Sequence, residues 1–341
     1  LVLCICALAF GEIRIQIELS SGSYSHGDEL IANWSMSSDE IHSFLRWGTP
    51  LEEEWNNNYF VIENDDTKAE YQGRLVKRAA PELSNFQLIR PNTPIQGSLI
   101  LSEGYHFYQK GVYTVTLDIV LNLLTGERLR IQSNTVSFSV LRPDHRPIFE
   151  MKESRSVGFN GCSVSETSIV NTAIPAATTA AKGASTYMDQ SGLSPKCEST
   201  YEKWFGTYTS SRWNKVKSDF SAIYSRLNSR GFNIDCTCKQ PGTYAFVYPT
   251  DPTHTIHLCP VFWQASPDAY TYNSQPGTLT HEMSHFNDVA GTGDYQYGVP
   301  GCIQLATDSP NVAVDNADSH EFFQESKPVC QIFVMSINFF C

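Results

Sequence analysis

Cysteine is absent from almost half of this chain of 341 residues. None of the ten cysteines lies between residues 7 and 161: two stand near the start, at Cys4 and Cys6, and eight lie from Cys162 onward. No CxxC pair occurs among them, so a zinc site built from cysteines is not expected. The cysteines act in the second half, where disulfides would suit a protein made for an oxidising compartment.

Basic residues are also scarce. The sequence has 24 Lys and Arg against 36 Asp and Glu, a net charge of −12. This balance argues against nucleic acid as a partner, because phosphate binding needs a basic surface. Hydrophobic residues make up 41% of the chain and aromatic residues 12%, which is enough to fill real cores and excludes wholesale disorder. The length favours two domains over one.

Long apolar runs are missing as well. The run at residues 1–10 is too short for a membrane-spanning helix, which needs about 20 residues. We expect it to be the remainder of a secretory signal peptide, with a first β-strand as the alternative, and we expect no membrane span. The apolar tail at residues 328–341 is either a last strand packed on the core or sequence outside the mature product.

Residues 11–142 have the pattern of an all-β domain. Apolar and polar residues alternate in residues 13–19, 112–117 and 136–140, which is the period of half-buried strands. Several short strands separated by polar turns over about 130 residues predict an immunoglobulin-like sandwich. No His, Glu or Cys group with catalytic spacing occurs here, so this half alone resembles a binding or folding module.

Residues 143–156 form the predicted linker. Two prolines and four basic side chains fall within residues 141–155, a composition typical of an exposed segment that proteases can reach. The linker is either a plain connection between domains or the site at which a precursor is cut.

The pattern changes to helices after Cys162. Residues 165–190 are rich in Ala and Thr and interrupted at Pro175, and apolar residues recur every three to four positions in residues 199–230. Three strand candidates follow, at residues 232–236, 244–248 and 255–259. Helices followed by a small sheet predict an α+β domain over residues 157–327.

The strongest chemical signal is His281-Glu282-Met283-Ser284-His285. On a helix the two histidines, four residues apart, lie on the same face, where both can bind one Zn²⁺ ion. Glu282 stands beside them, placed to take a proton from a zinc-bound water and pass it to the leaving amine.

A third metal ligand is needed. Metzincins have Gly and His three and six residues past the second His, but this chain has Asp288 and Gly291 there, which excludes that class. Asp288 lies one helical turn beyond His285, whereas Asp294 follows two glycines that let the chain fold back. We favour Asp294, because a ligand from a separate segment closes a tetrahedron more easily.

This motif resembles that of a known family. HEMSHF at residues 281–286, followed by GTGDYQYG at residues 291–298, is similar to the aspzincin signature, HExxH plus GTxDxxYG, of deuterolysin-type metalloendopeptidases. The resemblance implies a zincin-like catalytic domain with one Zn²⁺ per chain. The residues it implies are the zinc ligands His281, His285 and Asp294, the general base Glu282, and Tyr297. The tyrosine would donate a hydrogen bond to the oxyanion of the tetrahedral intermediate.

Within this family the chain resembles the fungal peptidyl-Lys metalloendopeptidases over residues 157–327, and its first half is more loosely similar to their propeptide. The resemblance rests on segments such as WFG at 204–206, CTC at 236–238 and VYP at 247–249. It implies the disulfides Cys162–Cys236 and Cys238–Cys259. This pairing is compatible with Cys236 and Cys238 being two apart, too close to bridge each other comfortably. The pairing is left open for Cys197, Cys302, Cys330 and Cys341.

Substrate preference depends on Asp318 and Glu321. In the lysine-specific members, carboxylates at these positions line the S1′ pocket, and two carboxylates three apart on a helix share a face that can hold one ammonium group. From the residues alone, Asp-x-x-Glu also fits a capping box at a helix start, and both roles can coexist. The neighbouring His320 is expected at the surface.

We therefore expect a secreted zinc endopeptidase that cuts proteins or peptides on the N-terminal side of Lys and is made as a zymogen. Its propeptide would be an intramolecular inhibitor that blocks the cleft by contact, because residues 11–161 hold no cysteine to bind the zinc. The alternatives are a deuterolysin-like endopeptidase of broader specificity and, from a different class, a non-catalytic secreted binding protein.

Overall fold

The computed structural model describes residues 12–52, 54–65, 67–145, 156–189 and 198–328. The chain divides into two compact units, one within residues 1–73 and 81–149 and the other within residues 74–80 and 150–341. The predicted signal segment at 1–10, the predicted processing region at 146–155, Cys197 and the tail from residue 329 lie outside the described residues. Residues 74–80 belong to the second unit, whereas the prediction places them in the first domain, at residues 11–142.

Strands are the main elements between residues 12 and 145, and their burial follows the sequence alternation. The first strand buries Ile13, Ile15 and Ile17 and exposes the polar residues between them. The strands are, in chain order, β1 (Ile13–Leu19), β2 (Ser23–Ser25), β3 (Ile31–Ser38), β4 (His42–Leu45), β5 (Phe60–Asn64), β6 (Thr67–Lys68), β7 (Glu70–Tyr71), β8 (Leu75–Arg78), β9 (Phe86–Ile89), β10 (Ile95–Ile100), β11 (Tyr105–His106), β12 (Gly111–Asn122), β13 (Arg128–Gln132) and β14 (Val136–Arg142). One short helix, α1 (Leu101–Gly104), precedes β11.

The first unit pairs these strands, except β8, into several sheets. One sheet has the order β1-β3-β10, and a larger one is built around β12, which pairs with β5, β13 and β14. Two small sheets join β4 to β9 and β7 to β11. The described part of this unit is therefore β-rich, in line with the sequence pattern. Its immunoglobulin-like arrangement and its role as a propeptide stay predictions.

Helices and a small sheet make up the described part of the second unit. Its further elements are β15 (Gly158–Asn160), α2 (Val164–Met188), α3 (Glu198–Phe205), α4 (Ser210–Ser229), β16 (Asn233–Asp235), β17 (Thr243–Val247), β18 (Thr255–Leu258), α5 (Gln275–His285), α6 (Val299–Asp308), α7 (Pro310–Ala313) and α8 (Ala317–Glu325). The mixed α and β content agrees with the predicted α+β domain. No helix in the described ranges is both long and apolar enough to cross a membrane.

The first long helix of the second unit starts where the sequence supplies a cap. Ser163 accepts a hydrogen bond from the backbone NH of Glu166, and the Glu166 carboxylate accepts one from the NH of Ser163, a complete capping box. Of the break or kink that Pro175 predicts, the break is wrong, because α2 continues through Pro175 as one helix. Apolar side chains of α2, α4, α5, α8 and β16–β18 form the core of this unit.

The sheet of the second unit has the order β15-β16-β18-β17-β8. β15, β16 and β18 are parallel, whereas β17 is antiparallel to β18 and to β8. β8 is therefore the edge strand, although it comes from a part of the chain far from the other four. Disulfides join Cys162 to Cys236 and Cys238 to Cys259, the pairs that the family resemblance implies. They tie the start of the loop after β16 to Cys162 on one side and to Cys259, just after β18, on the other.

Candidate active site

The helix α5 carries the HExxH motif inside the second unit, and each of its residues is buried. Its cap is Ser274, whose hydroxyl accepts from the backbone NH of Gly277 at 2.8 Å, with Pro276 in the first turn where its missing NH costs nothing. The four-residue spacing brings His281 and His285 together, with their rings 4.8 Å apart. The helix thus presents both imidazoles to one point.

Each imidazole has an oxygen atom close to its Nδ1, through a hydrogen bond for His285 and an ion-pair contact for His281. His285 Nδ1 lies 2.9 Å from the carbonyl oxygen of Thr292, which can only accept, so this nitrogen carries the proton. His281 Nδ1 lies 2.8 Å from Oδ1 of Asp318. Both arrangements leave the Nε2 lone pair available, and a carboxylate or carbonyl behind a histidine is the usual support of a metal-binding imidazole.

Asp294 places a carboxylate oxygen beside the two imidazole nitrogens. Its Oδ1 lies 3.2 Å from Nε2 of His281 and 3.5 Å from Nε2 of His285. One ligand atom from each of the three residues lies within 4.8 Å of the others, and all three residues are buried. The alternative ligand, Asp288, instead accepts a hydrogen bond from His254 at 2.8 Å. The structure therefore groups Asp294, and not Asp288, with the two histidines.

The chemistry of this group fits a zinc ion. Two imidazole nitrogens and a carboxylate are three ligands of a catalytic zinc site, which leaves the fourth position for water or substrate. In the described part of the chain, Nε2 of His285 and both carboxylate oxygens of Glu282 are buried without a hydrogen-bond partner. Such atoms are costly to bury unless an ion or a water satisfies them. We call His281, Glu282, His285 and Asp294 the catalytic cluster.

Burial shifts the pKa values of two members of the catalytic cluster, His285 and Glu282. It lowers the pKa of His285 to about 4, so this imidazole is neutral near pH 7, as a metal ligand must be. Burial also raises the pKa of Glu282 well above its ordinary value. A carboxyl with a raised pKa holds a proton more readily, which suits a group that shuttles protons.

A second group of carboxylates lies on α8, on the other side of His281. Asp318 and Glu321 are buried, one turn apart on the helix, and both approach the ammonium of Lys77 in β8. Lys77 Nζ lies 3.1 Å from Oδ1 of Asp318 and 2.6 Å from Oε2 of Glu321. The capping-box alternative does not describe this pair, because the residue at the helix start is Asn316.

Two further residues complete the surroundings of the ammonium, and the sequence analysis did not identify them. Asn273 places its side-chain oxygen 3.2 Å from Lys77 Nζ. Its backbone has a positive φ of 60°, a conformation that asparagine tolerates better than most residues. The ring of Tyr244 lies 5.2 Å from the same nitrogen, within the range of a cation–π contact. We call Asn273, Asp318 and Glu321 the lysine pocket.

The pKa values of the lysine pocket reflect this pairing. Burial opposes the charge on Lys77, but Asp318 and then Glu321 raise its pKa above the ordinary value. Burial opposes the charge on Asp318 too, and Lys77 lowers the pKa of that carboxyl. Side-chain exposures of 1% for Lys77, 3% for Asp318 and 0% for Glu321 show that the ion pair is almost completely removed from water.

A third carboxylate, Glu325, lies below the lysine pocket and is held by the start of α5. It accepts hydrogen bonds from the backbone NH groups of Asn273 and Ser274 and from the Ser274 hydroxyl, at 2.7–3.0 Å. Burial, and then the charge of Glu321, raises its pKa to about 9. Gly277 packs against this arrangement: a Cβ there would lie 2.0 Å from Glu325 Oε1 and 3.0 Å from Glu321 Oε1.

Tyr297 and β8 meet beside the catalytic cluster. The Tyr297 hydroxyl donates a hydrogen bond to the carbonyl oxygen of Val76 at 3.0 Å. The backbone NH of Val76 donates to Oδ2 of Asp294, also at 3.0 Å. The tyrosine that the resemblance implies as an oxyanion donor therefore lies against a peptide carbonyl in this structure.

The expected surface position of His320 is wrong. Its side chain is fully buried, with Nδ1 3.0 Å from the carbonyl of Asn316 and Nε2 3.1 Å from Oδ2 of Asp219. Asp219 lies on α4, and no local sequence signal connects it with α8. His320 thus joins the two helices instead of facing solvent. Cys302, one of the cysteines left open, is buried as a free thiol.

The fold and the catalytic cluster define a zinc metallopeptidase, and the comparisons with known proteins give its family. The family described as aspzincin, lysine-specific metallo-endopeptidase, matches residues 191–325. An extracellular protease of Aeromonas hydrophila is 33% identical over 298 residues, which cover 83% of this chain and 84% of that protein. The chain belongs to this aspzincin family and is a zinc metalloendopeptidase.

Two further relatives each match half of the chain. A peptidyl-Lys metalloendopeptidase of Pleurotus ostreatus is 44% identical over 170 residues, 50% of this chain and 97% of that protein. A solved structure, a zinc peptidase from Grifola frondosa, is 38% identical and covers 50% of this chain and 100% of its own, with a TM-score of 0.46.

Proposed function

We propose that this metalloendopeptidase cleaves peptide bonds on the N-terminal side of lysine, is secreted, and is made as a zymogen. The observation that carries the lysine preference is the lysine pocket itself, in which two buried carboxylates and an amide oxygen surround an ammonium group. A buried pair of carboxylates is stable only with a matching cation, so an uncharged side chain would leave it uncompensated.

The lysine pocket also favours lysine over arginine. An ammonium is a compact point charge with three donors, and the pocket offers it three acceptors at 2.6–3.2 Å. The planar guanidinium of arginine is larger and needs parallel acceptors. We expect cleavage before arginine to be slow.

In the proposed reaction, His281, His285 and Asp294 hold the zinc ion. Bound zinc supplies an activated water and polarises the substrate carbonyl. Glu282 takes the proton of the attacking water and delivers it to the leaving amine. Tyr297 donates its hydroxyl to the carbonyl oxygen on which negative charge develops. Each of these residues stays a proposal until its variant is measured.

A digest tests the specificity. The purified enzyme, freed of residues before the linker, is incubated with a denatured protein, and the new N-termini are mapped by mass spectrometry. We expect most of them to begin with lysine. Fragments that begin with many residue types would instead favour the broader deuterolysin-like specificity. The Glu282→Gln enzyme, treated identically, controls for contaminating proteases.

Secretion and zymogen status rest on separate observations. Two disulfides and the extracellular relative of Aeromonas hydrophila support export to an oxidising compartment. The β-rich first unit, which contains no residue of the catalytic cluster or the lysine pocket, supports a propeptide role. The test is the product found outside expressing cells: we expect a mature form that starts after the linker, and a full-length active product would contradict the zymogen proposal.

A further inference from the structure

The edge strand β8 occupies the second unit as a peptide substrate would. Its neighbours along the chain on both sides, Gly73 and Pro81, belong to the first unit, whereas residues 74–80 belong to the second. β8 adds to the sheet antiparallel to β17, with Val76 opposite Phe246 and Lys77 opposite Ala245. Addition of an extended segment to a sheet edge is a general way of binding peptides.

The side chain of Lys77 gives this binding its register. It extends into the lysine pocket and is 1% exposed. In an enzyme that cuts before lysine, the residue in this pocket follows the bond to be broken. The bond that precedes Lys77 is the one to Val76, and Val76 is completely buried. The pocket therefore selects the Val76–Lys77 bond from all the bonds of the strand.

The backbone of Val76 is held by the residues that a substrate would meet. Its carbonyl oxygen, the oxygen of the Val76–Lys77 bond, accepts from the Tyr297 hydroxyl at 3.0 Å. Its NH donates to Asp294 at 3.0 Å. A non-productive inhibitor has no need to place the carbonyl of the bond before its lysine against the proposed oxyanion donor. Three independent contacts, one through a side chain and two through the backbone, agree on the same bond.

We propose that the Val76–Lys77 bond is a self-cleavage site, bound within the same molecule as the first substrate of the enzyme. This inference rests on the proposed lysine specificity. Hydrolysis consumes one water: the bond between the Val76 carbonyl carbon and the Lys77 nitrogen breaks, a carbon–oxygen bond forms at Val76, and a proton passes to the Lys77 nitrogen. The products are a Val76 carboxylate and a Lys77 amine.

Cleavage at this bond would also open the site. The four residues of β8 would be divided into two pairs, Leu75–Val76 and Lys77–Arg78, each with only two partners on β17. So short a strand is unstable by itself. The lysine pocket and the edge of β17 then become available to other substrates, so the uncut strand is an inhibitor and its cleavage is an activating step.

The experiment uses the full chain, purified with a chelator and then supplied with Zn²⁺. Intact mass and N-terminal sequencing follow the products over time at several protein concentrations. We expect a new N-terminus at Lys77, formed at a rate that does not depend on protein concentration. We expect the Glu282→Gln chain to stay intact under the same conditions.

Variants and a measurement without metal sharpen the test. Lys77→Met should slow this cleavage at least about 100-fold, because a site built for a charged group rejects one that lacks it. Lys68→Met is the matched control, since Lys68 lies on β6 with a side chain that is 76% exposed; its rate should equal that of the unaltered chain. In the metal-free protein, we expect hydrogen-exchange measurements to find the backbone amides of residues 75–78 protected. This protection should decrease in Lys77→Met.

The outcomes separate this inference from the proposed function. A chain that stays intact at Val76–Lys77 but cuts an added denatured protein before lysine overturns the inference and leaves the specificity standing. A cleavage rate that rises with protein concentration overturns the intramolecular step. If residues 75–78 are unprotected from exchange in the metal-free chain, β8 is not bound at the sheet edge and the inference is wrong. Cuts in the added protein at many residue types contradict the lysine specificity, and the inference falls with it.

Discussion

His281 belongs to two buried groups of ligand atoms in the second unit. On one side its Nε2 faces Asp294 and the ring of His285, and on the other its Nδ1 faces Asp318 and Glu321. In both groups the ligand atoms lie within 4.8 Å of one another, so distance alone would make each a metal site. The difference is chemical. The catalytic cluster combines two imidazoles with a carboxylate, the ligand types of a zinc site, whereas the lysine pocket already contains a cation, the Lys77 ammonium.

This comparison shows how one histidine can serve two cation sites. Nδ1 of His281 lies 2.8 Å from Asp318, whereas Nε2 faces Asp294 in the catalytic cluster. Asp318 is thus shared: it orients a residue of the catalytic cluster and holds the ammonium in the lysine pocket. The variants below separate the two functions.

The largest effect is expected from Glu282→Gln. Proton transfer by a positioned carboxylate contributes about 10²- to 10⁴-fold to a reaction rate, and glutamine cannot take the proton. We expect kcat/KM on a lysine-containing peptide to fall by about that factor. Metal analysis after dialysis should still find bound zinc, because Glu282 is not among the three ligand residues. Loss of the metal would assign Glu282 to zinc binding instead.

Lys77→Met should destabilise the uncut chain by about 3 kcal/mol, because it leaves two buried carboxylates without their cation. Denaturant unfolding of the metal-free Glu282→Gln chain, with and without the substitution, measures this difference. A change within error would mean that the pocket carboxylates are neutral or solvated in the uncut chain.

The same pair gives a pH dependence. Lys77 lowers the pKa of Asp318 against the effect of burial, so the stability it contributes is present above the ordinary value of 3.8 and is lost as the pH falls below it. Against burial, Asp318 and Glu321 raise the pKa of Lys77, so that contribution is present below 10.5 and is lost as the pH rises above it. The difference in the free energy of unfolding between the unaltered chain and Lys77→Met should therefore be largest between pH 3.8 and pH 10.5.

Asp318→Asn and Glu321→Gln form a matched pair in the mature enzyme. Both should reduce the preference for lysine. Asp318→Asn alone should also weaken zinc binding, by about 10- to 100-fold, because it removes the carboxylate behind His281. Zinc affinity from competition with a chelator, measured beside the digest, distinguishes the two. Equal zinc affinities would show that the contact of Asp318 with His281 does not support the metal.

The smallest effect is expected from Asp288→Asn. Asp288 contacts His254 and Arg226, not the catalytic cluster, and it is 51% exposed. We expect an unchanged zinc affinity and a loss of stability of at most about 1 kcal/mol. A large loss of zinc would restore Asp288 as the third ligand. Asp294→Asn, measured in parallel, is the positive control.

The sequence predicted site residues best where they lie in one short segment of the chain. The HExxH motif and the following loop lie within residues 281–298, so the spacing predicts the two histidines and favours Asp294 over Asp288 as the third ligand. Asp318 and Glu321 needed the family resemblance, since their spacing fits a helix cap equally well. The coarse division into a β-rich half and an α+β half followed from the period of apolar residues.

The rest depended on contacts between distant segments. Nothing near Lys77 distinguishes it from other lysines, because its two carboxylate partners lie more than 240 residues away. His320 was misplaced for the same reason, since its acceptor Asp219 is 101 residues distant. The start of α5 is instead a local feature, since Ser274 caps the helix and Pro276 lies in its first turn.

Gly277 leaves no space for a side chain beside the lysine pocket. A methyl group at this position would overlap Glu325. Glu325 cannot move away without breaking the three hydrogen bonds that it accepts. We therefore expect a substitution at this position, on the helix that carries His281 and His285, to weaken the proposed preference for lysine without removing any charge. In an engineered library, position 277 is then a steric control on substrate choice, separate from the carboxylates that attract the substrate.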